Sequence, residues 1–140
     1  MRLRITTLAA TLAIVAGGTL LGKTISATAP QAAPSSMDLY NTRVQPIFQA
    51  NCYRCHAGLN HRGGLQMDTQ AGLMKGGHDG VVVVPGHPEQ SLLVKLIRHE
   101  GPPDDPMPMP PKSKLSDADI SAVEAWVRSG AAMPATPVDR

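Results

Sequence analysis

Both cysteines of the 140-residue chain, Cys52 and Cys55, fall in one stretch, NCYRCHAG, and His56 follows the second directly. C-x-x-C-H is the attachment signature for a c-type haem. Two thiols three apart on a helical turn can each add to one vinyl group of a haem. The covalent geometry then brings the next imidazole under the iron. Other uses of the motif fit less well. A thioredoxin-like dithiol belongs beside a βαβ pattern, which this sequence lacks. A structural zinc takes four ligands, and the motif supplies three crowded residues with no second cysteine pair. A Cys52–Cys55 disulfide would close too short a loop to stabilise much. The motif therefore predicts one covalent haem c, with Cys52 and Cys55 as thioether attachments and His56 as the proximal iron ligand.

The rest of the composition asks for such a filler. The aromatics are Tyr40, Phe48, Tyr53 and Trp126 alone, set against 13 Pro and 13 Gly. Small domains bury little surface and need a staple, a metal or a cofactor. A haem would supply the missing interior.

The N-terminus reads as an export signal. Arg2 and Arg4 precede residues 5–21, which carry no charge and are rich in Ala, Leu, Ile and Val, and small residues follow. This is the pattern of a signal peptide over residues 1–27, cut after Ala27. The same run is close to the roughly 17–25 residues that span a bilayer, so an uncleaved anchor is the other reading. Either places the domain outside the cytoplasm, periplasmic or exported, with membrane attachment only if the segment stays. The formal charge of +2 comes from 13 Lys+Arg against 11 Asp+Glu. Arg2, Arg4 and Lys23 lie before the cut, and without them the charge is −1. Nothing in that balance favours nucleic acid.

Residues 28–36 form a Pro/Ala/Ser linker, residues 37–133 the folded domain, and residues 134–140 a disordered tail. Ser36 or Asp38 can cap a first helix. Its apolar face is Tyr40, Val44, Ile47 and Phe48, and Pro46 should bend it. Residues 57–80 hold seven of the 13 glycines and read as loop, and Val81 to Val84 as a short extended segment. A helix follows with Pro88 at its start and Leu92, Leu93, Leu96 and Ile97 on one face. Six prolines in residues 102–111 predict an extended loop. The last helix opens on an S-x-x-D cap, Ser116 and Asp119, and stops at Gly130. The fold class is all-α, with three or more short helices and long loops.

Candidates for a sixth iron ligand are Met67, Met74, Met107, Met109, His61, His78, His87 and His99. Met67 and Met74 suit a core, and the histidines suit a polar surface. The MPMPP stretch suits a stiff strap across a flat ligand. Neighbours two apart in an extended loop face different ways, so Met107 and Met109 should not both reach iron.

Several stretches together, NCYRCH, GGLQMDT at 63–69, VVPGHPEQSLL at 83–93, MPPKSKLSDADI at 109–120 and AWVRSGA at 125–131, resemble the planctomycete-type cytochrome c domain, a branch of class I cytochrome c. The resemblance implies a class I fold wrapped around the haem, with first and last helices crossing at its edge. It implies Met109, the methionine of MPP, as the distal ligand; Met107 has no counterpart in the family pattern and stays as the alternative. It also implies a backbone carbonyl near residues 63–65 as acceptor for the second nitrogen of His56. Arg62, Arg98 and Trp126 are candidates to meet the propionates.

The function these readings imply is a one-electron carrier with His/Met ligation, serving redox partner proteins and transforming no substrate itself. The alternative is a haem peroxidase or gas-binding sensor with a labile sixth ligand and a polar group, such as His99 or His61, above it.

Overall fold

The computed structural model describes residues 33–101, 109–110 and 113–136. The expected export segment, Met107 and most of the proline-rich loop lie outside them. The described elements are helices and loops with no strand among them, one isolated bridge aside. Among the described residues no helix is long and apolar enough to cross a membrane.

The first helical arm runs as α1 (Ser36–Leu39), a π-helical stretch (Tyr40–Val44) and α2 (Gln45–Asn51). Its cap is Ser35 rather than Ser36 or Asp38. Ser35 Oγ accepts from the Asp38 N–H at 3.1 Å, and the Asp38 carboxylate answers the Ser35 N–H at 3.2 Å, a reciprocal capping box. Ser36 is thereby free for a distant partner: its Oγ accepts from Ala132 N–H at 2.8 Å.

The turn before Pro46 is widened. A proline has no N–H to give and its ring clashes with the carbonyl four residues back. Here the N–H of Gln45 reaches the Tyr40 carbonyl, five residues back. Pro46 then sits in the first turn of α2, where its missing N–H costs nothing. The widened stretch keeps Tyr40, Val44, Ile47 and Phe48 all buried on one side.

That side meets α6 (Asp117–Arg128). Tyr40 and Phe48 pack on Trp126 with ring centroids 6.0 and 5.7 Å away, the second edge-on at 88°. Helix α6 starts as the sequence predicts, with Ser116 Oγ accepting from Asp119 N–H at 3.1 Å. It ends with Gly130 at φ 110°, whose N–H donates to Val127 while Ala131 N–H reaches back to Trp126. The chain beyond is stitched down. Trp126 Nε1 donates to the Ala132 carbonyl at 2.8 Å, and Met133 N–H to Gln70 Oε1 at 2.8 Å.

Between these ends lie α3 (Tyr53–His56), α4 (Gln70–Lys75) and α5 (Leu92–Ile97). Residues 81–84 form no strand; Val82 and Val83 are buried in an extended segment that feeds α5. Pro88 opens a separate short turn, Pro88–Gln90, and α5 begins only after Ser91. Ser91 is fully buried, and its hydroxyl accepts from Val84 N–H at 2.9 Å and donates to the His87 carbonyl at 2.9 Å. It ties the extended segment to the helix start instead of capping it.

Candidate haem site

The C-x-x-C-H turn closes on itself. Cys55 N–H and His56 N–H both donate to the Cys52 carbonyl at 3.0 Å. That puts Cys52 and Cys55 one turn apart on one face of α3. Both thiols are free and partly buried. Burial, with Cys55 alongside, pushes the Cys52 thiol up to about 12. A reactive dithiol needs the opposite shift, a stabilised thiolate.

After His56 the chain doubles back onto the turn it has left. Met67 N–H donates to the His56 carbonyl at 2.7 Å. Gly58 N–H donates to Asp68 Oδ2 at 2.9 Å, and the Asn60 side chain to the Arg54 carbonyl at 3.2 Å. Tyr53, between the two cysteines, is buried, and its hydroxyl lies 2.7 Å from that of Tyr40 on the first arm.

His56 is held neutral: burial pulls its pKa down, while the backbone of Leu65 and Arg62 pushes it partly back. Neutral imidazole is the form that binds a metal. Its Nδ1 is buried yet meets no hydrogen-bond partner. Leu65 lies inside the expected acceptor region and Arg62 just before it, and their backbone is near, but neither meets Nδ1 in hydrogen-bonding geometry.

Cys52, Cys55 and His56 share the wall of a cavity of about 340 Å³ with Arg62, Leu65, Met67, Asp79, Val82, Met109 and the α5 residues Leu92, Leu93, Leu96 and Ile97. Gly63 and Gly77 line it too. Their two loops touch: a side chain at Gly77 would place its Cβ 2.5 Å from the Gly63 carbonyl oxygen. Only glycine lets the backbones approach so closely.

Met109 enters this wall by its backbone. Its N–H donates to the Leu96 carbonyl at 3.2 Å, and that carbonyl also accepts from His99 N–H at 3.0 Å. His99 stands where α5 ends, at φ 59°, a left-handed conformation usually filled by glycine.

Of the other described sixth-ligand candidates, Met67 alone lines the cavity. His61, His78, His87 and His99 are exposed and none lines the cavity. Met74 packs half-buried against the core. Met67 is core as expected, 2% exposed, and faces the cavity as well. Of the propionate candidates, Arg62 lines the cavity. Arg98 is engaged by Glu124 at 2.6 Å, and the Trp126 N–H by Ala132. Sequence reasoning passed over two further features, the Asp68 anchor and the Tyr40–Tyr53 pair. An acid among apolar neighbours in GGLQMDT was the available clue to the first.

The donor set fits a haem. Both cysteines, a neutral imidazole with an unpartnered buried nitrogen, and Met109 border one largely apolar cavity, as a bound cofactor requires. Among the described residues no group of His, Cys, Asp and Glu could instead hold a bare metal ion. Residues 52–113 match the family model described as planctomycete cytochrome C. No curated protein and no solved structure matches the chain.

Proposed function

From the premise that this chain carries a planctomycete-type cytochrome c domain, we propose that it is a one-electron carrier holding a single covalent haem c with His56 and Met109 as axial ligands. The observation that carries the reading is the shared cavity: both cysteines, His56 and Met109 border one space. The class I fold is part of the proposal, supported by the packing of Tyr40 and Phe48 on Trp126.

Each protein group has a part. Cys52 and Cys55 would hold the haem through thioethers to its two vinyl groups, each thiol's sulfur going to one vinyl carbon and its hydrogen to the other, which leaves no thiol for a disulfide. The α3 turn fixes their spacing, and the folded-back loop fixes His56. Met109 supplies a sulfur, which raises the potential relative to a second histidine. The Leu96 carbonyl sets where the strap stands. Arg62 offers a cation for a propionate. The bound haem supplies the Fe(III)/Fe(II) couple, and α5 with Val82 and Met67 keeps water from it.

The carrier reading stands ahead of a peroxidase or gas sensor because neither His61 nor His99 lines the cavity. Export is proposed too, since haem attachment of this kind takes place outside the bacterial cytoplasm, and the electron's source and destination would be redox partner proteins there. The test is spectroscopic. The ferric protein should show a Met-to-iron charge-transfer band, and the untreated ferrous form should bind carbon monoxide slowly. Rapid carbon monoxide binding with no such band would favour the sensor or peroxidase instead.

A further inference from the structure

Asp68 brings a carboxylate into the core, where it is 4% exposed. Its Oδ2 accepts from Gly58 N–H and its Oδ1 from the Gln66 side-chain amide, both at 2.9 Å. Burial alone would push this carboxyl up. The Gly58 and Gln66 donors, with its own backbone N–H and the nearby His61, together outweigh that and hold it below the usual carboxylate value, so it is an anion at neutral pH. A buried charge is costly unless another charge answers it. Among the described residues no Lys, Arg or His forms an ion pair with Asp68. Its charge is felt by the phenols of Tyr40 and Tyr53, which are pushed up mainly by burial, and by the exposed His61. Phenols and amides solvate an anion without neutralising it.

The anion is built into the loop that fixes His56. Its donor Gly58 lies two residues after His56. The preceding residue, Met67, lines the cavity and gives its N–H to the His56 carbonyl. We propose that Asp68 both positions the His56 loop and sets the reduction potential: its buried negative charge favours the oxidised iron, which carries one more positive charge than the reduced one. Net charge and burial around a haem are among the protein's levers on potential. The inference rests on the haem reading above. The reaction it modulates is the gain of one electron by Fe(III) from a protein redox partner to give Fe(II), with no proton or bond transferred.

The test uses the full holoprotein. Asp68→Asn keeps an acceptor for Gly58 N–H, and the Gln66 amide can turn to match it, so shape persists while charge goes. At a fixed applied potential near the wild-type midpoint, the ferric-to-ferrous ratio should fall about tenfold, a rise of about 59 mV for a one-electron couple. Asp68→Glu, which keeps the charge, should stay closer to wild type. The Met-to-iron band should persist in both. An Asn variant with the wild-type midpoint, or a Glu variant shifted as far as Asn, would overturn the proposal. So would recovery of holoprotein for Glu alone, with neither Asn nor Ser at this position folding, because that outcome makes Asp68 structural only. Absence of covalent haem from the wild-type protein would instead overturn the reading on which the proposal rests.

Discussion

The two segments that would bracket the iron are held in unlike ways. From Cys52 to Asp68 the chain is cross-tied: the Cys52 carbonyl accepts two N–H groups, His56 is bonded through its carbonyl, Gly58 through its N–H, and Tyr53 through its hydroxyl. Among the described residues Met109 has one backbone tie, to a carbonyl that His99 shares. The difference separates the two proposed ligands: the described contacts fix the backbone around His56 densely, while Met109 is held through its backbone N–H. Local stability follows the density of such ties, so under the proposed ligation exchange should begin on the methionine side.

The sharpest way to break the comparison is at its rigid end. Replacing both Cys52 and Cys55 by Ala should abolish covalent haem and with it the folded domain, seen as loss of helical circular dichroism. The lean core leaves little else to hold the chain together. A well-folded, stable Ala variant would show that the rigid side needs no haem. At the other end, Met109→Ala should remove the Met-to-iron band while covalent haem and helix content stay. Met107→Ala should leave the band intact, and the reverse pattern would move the ligand to Met107.

Smaller effects grade the ties themselves. Tyr53→Phe or Tyr40→Phe leaves one buried hydroxyl without its partner and should cost about 1–3 kcal/mol in denaturant unfolding. The double Phe variant should cost less than the two singles combined, since no orphan remains. On the methionine side, His99→Gly relieves a left-handed residue and should stabilise the domain by about 1 kcal/mol. The matching cap of α6 already has Gly130, so Gly130→Ala should go the opposite way.

The smallest effect is on acid stability. The Asp68 carboxyl titrates in the folded protein below its ordinary value of 3.8. A group shifted down contributes stability that is present above that value and lost as pH falls through the lower folded one. Wild-type holoprotein should therefore lose stability below about pH 4, and Asp68→Asn should lose less over the same window. Equal acid sensitivity in the two proteins would remove Asp68 from the rigid set.

Much of this was legible in the sequence because the information was local. The Ser116 cap and the Gly130 stop each depend on residues within a few positions, and each stands where it was read; C-x-x-C-H is equally local, a turn closed by its own backbone. Val81 to Val84 resist the strand their residue types favour, since no neighbouring segment offers a ladder. Pro46 was read as a bend, and the widened turn at Tyr40–Val44 that precedes it has no local pattern to announce it. Asp68 and the Tyr40–Tyr53 pair were illegible for a related reason. Their partners lie 10 and 13 residues away: Asp68 meets Gly58 through the doubling back of a glycine-rich loop, and Tyr40 meets Tyr53 through the turn between the first arm and α3, and neither path has a periodicity to read. His99 escaped notice because a left-handed position normally advertises itself by glycine.

The central claim is that Cys52 and Cys55 carry one haem and complete this domain's interior. It is tested most directly by the mass of the denatured, purified protein from a host with working haem-attachment machinery. The account predicts the mass of the chain plus one haem, with the haem absent when both cysteines are replaced. A colourless protein with the mass of the bare chain and two free thiols would contradict it.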